Sequence, residues 1–193
     1  MAPQASIPHM SAIAQSRPLT PEDVERAGKR DAKHYELIDG ELKEKPVGFE
    51  ALYIASRICQ LLNACLFPDH GIAVPEAMIY CFGRPNHGRR PDVLFIRNNR
   101  LPGGKVPKGD LTISPDVAIE VISPKNTGLE IEEKLNEYLA AGIPLIWIVN
   151  PDRKTTRVYR NDGTTRLYQA NESITNEPLL PGLSLLVSDI FPK

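Results

Sequence analysis

Hydrophobic positions recur along this chain in three rhythms, and each predicts a different kind of element. Over Phe49–Leu66, the residues Leu52, Ala55, Cys59, Leu62 and Leu66 return every three or four positions, with Ile58, Leu61 and Cys65 broadening the stripe. That is the period of an amphipathic helix, and Pro68-Asp69-His70-Gly71 ends it. An earlier helix is expected to start at Thr20-Pro21-Glu22-Asp23, which offers an N-cap hydroxyl, proline at the first helical position and acids in the first turn. Between the two, Tyr35-Glu36-Leu37-Ile38 and Glu41-Leu42-Lys43-Glu44 flank Asp39-Gly40, the signature of a hairpin with a type I′ turn. Such a turn pairs Ile38 with Glu41 and Glu36 with Lys43. Residues 72–82 alternate weakly and are expected to form a strand despite Pro75.

The third rhythm is the short continuous apolar run, seen at residues 92–96, 116–122 and 145–149. A helical pattern over 129–141, closed by Gly142, separates the second run from the third. Strand, helix and strand in that order predict parallel pairing through a right-handed crossover. Arg157-Val158-Tyr159 and Arg166-Leu167-Tyr168 around Asn161-Asp162-Gly163 predict a further hairpin. The tail from Asn171 carries Leu179, Leu180, Leu183, Leu185, Leu186 and Ile190, and is expected to pack back onto the body. The expected fold class is α/β: a central mixed sheet flanked by helices. One domain is expected over residues 18–193, behind a polar, proline-punctuated leader at 1–17 expected to be disordered.

Composition removes several function classes. Of 193 residues, 41% are hydrophobic and 24% charged, an ordinary globular balance. The apolar run at 143–149 is far too short to cross a bilayer, and residues 1–17 contain no apolar signal core, so a cytoplasmic location is expected. Three cysteines without a C-x-x-C pair point away from a disulfide framework and from zinc. A formal net charge of -1 argues against a uniformly basic nucleic-acid clamp. Locally the picture differs: within 84–108, Arg84, Arg89, Arg90, Arg97, Arg100, Lys105 and Lys108 surround a single acid, Asp92. A solvated loop is the plain alternative.

Glu120 most needs an explanation. It sits within Val117-Ala118-Ile119-Glu120-Val121-Ile122, where a central strand should be apolar on both faces. An ionised carboxylate in such a place requires a cationic partner or a metal. Asp92 opens another apolar strand. Two carboxylates converging from neighbouring strands repel unless a divalent ion lies between them, and oxygen-only ligation suits Mg²⁺ or Mn²⁺. Such an ion, with most of its coordination left to water and substrate phosphate, activates water for phosphodiester hydrolysis. Lys134 lies at the edge of the Ile131, Leu135, Tyr138, Leu139 stripe. It is read either as a snorkelling lysine or as an ammonium reaching back to the carboxylates. A buried structural pair with Glu120 is the plain form of the second reading. His9, His34, His70 and His87 are scattered through expected tail and loop positions, without metal-ligand spacing.

Pro91-Asp92 followed by a strand glutamate resembles the PD-(D/E)xK nuclease superfamily. More closely, Tyr35-Glu36-Leu37-Ile38-Asp39-Gly40-Glu41, Arg90-Pro91-Asp92-Val93, Glu120-Val121-Ile122-Ser123-Pro124, Glu133-Lys134-Leu135-Asn136-Glu137-Tyr138 and Ile146-Trp147-Ile148-Val149-Asn150-Pro151 resemble the Uma2 family of restriction endonucleases, over about residues 18–191. The resemblance implies a restriction-endonuclease-like core and a metal-dependent endonuclease acting on DNA. Asp92 and Glu120 would bind Mg²⁺ or Mn²⁺. The superfamily's lysine slot, two residues after the acid, is here Ile122. The resemblance implies that Lys134 has taken its role, with Lys125 the rival. The accessory acid is one of Glu36, Glu41 and Glu50, and Glu41 is chosen because it follows the turn on the polar hairpin face. Arg89, Arg90 and Arg97 are expected to contact backbone phosphates. Ser123 either donates to a phosphate or caps the turn before Pro124. A homodimer is expected, because cutting both strands of a pseudo-symmetric duplex favours two sites. The competing reading is a catalytically inactive nuclease-fold module that binds nucleic acid or a protein partner.

Overall fold

The computed structural model describes residues 17–46, 48–124 and 126–192. The expected leader therefore lies outside the described residues apart from Arg17, as does Lys125. In chain order the elements are α1 (Pro21–Asp31), β1 (Tyr35–Ile38), β2 (Glu41–Glu44), α2 (Phe49–Leu66), β3 (Gly71–Pro75), β4 (Val93–Arg97), β5 (Val117–Val121), α3 (Gly128–Ala140), β6 (Leu145–Asn150), β7 (Thr155–Arg160), β8 (Thr165–Tyr168), β9 (Ser173–Thr175) and β10 (Ser184–Leu186). A six-stranded sheet runs in the order β3-β4-β5-β6-β7-β8, and β1-β2 and β9-β10 form separate pairs. Only β5 and β6 are parallel; the other pairs of the sheet are antiparallel. The mixed α/β class expected from the sequence is the class observed.

Alternation along the central strands divides the molecule into layers. Val93, Phe95, Val117, Ile119, Val121 and Trp147 face α2, where Ile54, Ile58 and Leu62 meet them beside the returning C-terminal segment, Leu185 and Ile190 included. Leu94, Ile96, Ala118, Ile146 and Ile148 face the opposite way, onto Tyr138 of α3 and Ile143. Both faces of β5 are thus covered, so any polar side chain on it must be satisfied internally.

Residues 72–82 differ from the single strand expected. Strand β3 ends at Pro75, which has no N–H for a ladder, and Glu76 turns the chain with a left-handed φ of 53°. Beyond it, Ile79 makes isolated bridges to Arg89 and Leu111. The β1–β2 hairpin has positive φ at both Asp39 (50°) and Gly40 (86°), as a type I′ turn requires. It docks outside the main sheet: the Leu37 N–H donates to the Gly88 carbonyl at 3.0 Å, and the Gly88 N–H donates to the Leu37 carbonyl at 2.7 Å. A Cβ on Gly88 would stand 2.4 Å from the Tyr80 ring and 2.8 Å from the Met78 methyl. Glycine is what lets the backbone at position 88 lie against these two side chains while it pairs with Leu37.

Candidate active site

Continuing the β4–β5 register, in which Val93 faces Ile119, by one step puts Asp92 opposite Glu120. Both project to the α3 side, the face that Leu94 and Ala118 share. Asp92 is 5% exposed and Glu120 8%, and Glu36 on β1 is buried still further, at 3%. Ionised carboxylates this deep need partners, and each has them. Lys134 reaches Glu120 at 3.1 and 3.2 Å and Glu36 at 3.1 Å. The Tyr138 hydroxyl donates to Glu120 Oε1 at 2.6 Å. Lys134 and Tyr138 stand four residues apart on one face of α3, whose start is fixed by a reciprocal Thr127–Glu130 capping box. Asp92 accepts from the Val121 N–H at 2.6 Å and forms an ion pair with Lys45, just beyond β2, at 2.7 Å.

A further ring of charge surrounds these groups. Glu36 accepts from Arg89 at 3.0 Å and from the Arg90 N–H at 3.1 Å. Arg89 also donates to Glu137 at 2.6 Å. Lys45 donates to Glu76 at 3.1 and 3.2 Å and to the Arg90 carbonyl at 2.6 Å. His87, fully buried, sits between Asp39 and Glu137 at 3.2 Å from each. It lies in a loop, as expected, and its side chain belongs to this network.

Burial and neighbouring charge pull against each other here. For Glu36, burial favours the neutral acid, but Lys134 and Arg89 overcome it and bring its pKa down to about 2. At Glu120 burial prevails over Lys134, with Asp92 adding to it, so the carboxyl sits above its ordinary value. Burial disfavours the charged forms of Lys45 and Lys134, yet the surrounding carboxylates hold both above the usual lysine value. Tyr138 is raised far above the phenolic range, first by burial and then by Glu120, and remains a neutral donor.

The structure brings Asp92, Glu120 and Lys134 together. It does not bring Glu41 to them: the side chain is solvent-exposed beside the turn, opposite Ile38. Glu36, two residues back along the hairpin, takes the inward place. Glu50 is also exposed, in the first turn of α2. Of the basic residues expected on phosphates, Arg89 is buried in its pairs with Glu36 and Glu137. Arg90 donates to the carbonyls of Glu76 and Tyr35. Arg97 lies at the far end of β4, roughly 17 Å from Asp92 at the usual rise per residue, and pairs there with buried Asp116 at 2.9 Å. Ser123 bonds to Asn126 through both its N–H and its hydroxyl, the turn-capping arrangement.

Glu36 is one of the three candidate accessory acids of the sequence, whereas Tyr138 and Lys45 are contributors the sequence does not single out. Glu36 carried a signal, an acid flanked by Tyr35, Leu37 and Ile38, the same pattern that singled out Glu120. Tyr138 was legible only as a core residue. Nothing distinguished Lys45 from its charged neighbours.

A cavity of about 90 Å³ opens over the site, with Glu36, Lys43, Lys45, Glu120, Asn126 and Lys134 in its wall. A larger one, about 470 Å³, lies over Ile72, Val74, Leu94, Ile96 and Leu111; it is mainly apolar and holds no carboxylate cluster.

Comparison with known proteins supplies the family. The profile described as "Uma2: Putative restriction endonuclease" matches residues 21–188. The chain belongs to the Uma2 family. Its fold resembles a solved structure described as a "putative nuclease belonging to DUF820 from Anabaena variabilis ATCC 29413". The TM-score is 0.71 at 24% identity, over 83% of this chain and 90% of that one. No curated protein matches the chain. No helix among the described residues is long and apolar enough to cross a membrane.

The donor chemistry of this Uma2 site suits a hard divalent ion. Among the described residues no group of three or more His, Cys, Asp and Glu is arranged to hold a metal, so any ion would rest on the Asp92–Glu120 pair, with the rest of its coordination from water or substrate. Glu36, Glu76, Asp92, Glu120 and Glu137 are paired with Lys45, Arg84, Arg89 and Lys134, and Glu76 and Glu137 also contact His34 and His87.

Proposed function

We propose that this protein is a metal-dependent endonuclease that hydrolyses DNA phosphodiester bonds at the Asp92–Glu120 site. The observation that carries the reading is that Asp92, immediately before β4, and Glu120 on the neighbouring β5 are buried on the same face of the sheet, with the Lys134 ammonium on Glu120. Asp92 and Glu120 would hold Mg²⁺ or Mn²⁺. When bound, such an ion lowers the pKa of water and neutralises charge on the phosphate. The chain's own groups have separable tasks. Lys134, held by Glu36 and Glu120, presents a fixed ammonium to orient water or to offset charge on the scissile phosphate. Tyr138 fixes the Glu120 carboxylate from behind. Glu36 takes the accessory role first expected of Glu41, by keeping Lys134 and Arg89 in place. Backbone phosphates would be met by the rim of the cavity, where Lys43 is half-exposed, since Arg89 and Arg97 are committed elsewhere. Cutting both strands would call for a homodimer.

The test is nicking of supercoiled plasmid by the purified chain with Mg²⁺ or Mn²⁺. Cleavage should be lost in Asp92→Ala and Glu120→Ala variants that keep the wild-type fold. A folded wild-type protein that cuts no DNA with either ion would overturn the proposal. A second reading, a nuclease-fold module that binds without cutting, draws support from the ammoniums already resting on Asp92 and Glu120. It expects salt-dependent DNA binding that survives both chelator and the loss of Asp92.

A further inference from the structure

Among the described residues, the only ion pair Asp92 makes is with Lys45. The ammonium donates to the Arg90 carbonyl at 2.6 Å and to the two Glu76 oxygens at 3.1 and 3.2 Å, and its third contact, with Asp92 Oδ1 at 2.7 Å, is an ion pair without a hydrogen bond. Two of those three stations do not involve Asp92. Their geometry is built: Glu76 occupies a left-handed backbone conformation, with φ 53°, and its N–H donates to the Asp92 carbonyl at 3.1 Å. Lys45 also lines the 90 Å³ cavity beside Glu120 and Lys134.

We propose that Lys45 is a tethered cation that occupies the Asp92 carboxylate until a divalent ion displaces it, after which Glu76 and the Arg90 carbonyl retain it. The inference rests on the metal reading above and adds a competitor within the chain itself. The ammonium and the ion seek the same oxygen. The ion brings twice the charge but must shed water, while the lysine is already in place and loses only one of its three contacts. Lys45 therefore lowers the metal affinity of the resting protein, and it keeps the paired carboxylates from standing uncompensated when no ion is bound.

Calorimetric titration of the full chain with MnCl₂ tests this. Lys45→Met keeps the stem and removes the charge, and it should bind Mn²⁺ about tenfold tighter or more. Lys43→Gln, which removes a cation of the same cavity wall that does not touch Asp92, should change the affinity less than threefold. Equal binding by wild type and Lys45→Met would overturn the competition while leaving the metal site standing. An equal gain in Lys43→Gln would reduce it to long-range charge and overturn it too. Failure of every variant and of the wild type to bind Mn²⁺ would remove both the site and the competitor. Should Lys45→Met not fold, the wild-type chain still decides, because Mg²⁺ should shift the ¹⁵N ammonium resonance of Lys45 while that of Lys43 stays put. An unmoved Lys45 resonance at saturating Mg²⁺ would refute the displacement.

Discussion

Replacing Tyr138 with Phe removes one oxygen and leaves the ring in place, so it isolates the hydroxyl that fixes Glu120. That hydroxyl donates to Glu120 Oε1 at 2.6 Å in a buried setting, and Tyr138 itself is 0% exposed, so water cannot replace the lost donor. A hydrogen bond to a charged acceptor contributes about 1.5–3 kcal/mol. For a chain of this length, each kcal/mol moves Tm by about 2–4 °C. Tyr138→Phe should therefore melt roughly 3–12 °C below wild type by calorimetry or circular dichroism. A double-mutant cycle with Glu120→Gln separates the contact from general packing loss, because the amide oxygen can still accept but carries no charge. A coupling of about 1 kcal/mol is expected. A Tyr138→Phe melt within about 1 °C of wild type, or strict additivity in the cycle, would refute the claim that the hydroxyl holds the carboxylate.

Glu36→Gln should destabilise the protein by on the order of 3 kcal/mol at neutral pH. Glu36 titrates near 2 when folded, below the ordinary glutamate value, so its stabilisation is complete above that ordinary value and drains away as pH falls towards 2. The Tm gap between wild type and Glu36→Gln should accordingly close on acidification. A gap of constant size from pH 7 to 3 would contradict the assignment. Asp116→Asn breaks pairs with Arg97 and Arg100, each at 2.9 Å, and should cost about 3–5 kcal/mol while leaving Mn²⁺ affinity within a factor of two by titration. Glu41→Gln should leave both Tm and any nicking rate at wild-type values, and a tenfold loss of nicking would restore Glu41 to the site.

The parts of this molecule that were legible in the sequence are those governed by one local period. The stripe over α2, the Asp-Gly turn, the β5–α3–β6 crossover and the terminal hairpin needed only neighbours along the chain. Glu120 stands out because it breaks an apolar strand, and Asp92 because it opens one. The choice of Glu41 over Glu36 failed for a different reason. Which end of a hairpin enters the body depends on Gly88 receiving Leu37, a contact between residues far apart along the chain that leaves no periodic trace. Lys45 was invisible because a lysine after a charged strand is unremarkable until Asp92 and Glu76 are brought around it. The basic run at 84–108 is only partly absorbed by the fold. Arg89 is buried against Glu36 and Glu137, and the partly exposed Arg97 and Arg100 pair with Asp116, while Lys105 and Lys108 stay exposed.

The docking of β1–β2 through Gly88 also bears on how the site comes and goes. Glu36 and Lys45 ride on a two-stranded piece that shares no ladder with the main sheet, whereas Asp92 and Glu120 belong to its centre. Partial opening of the hairpin would dismantle the site while the sheet stays intact. Amide protons of Leu37 and Gly88 should then exchange with solvent sooner than those of β5. A chain that lost the Leu37–Gly88 pairing would keep its central sheet yet part with Glu36 and Lys45.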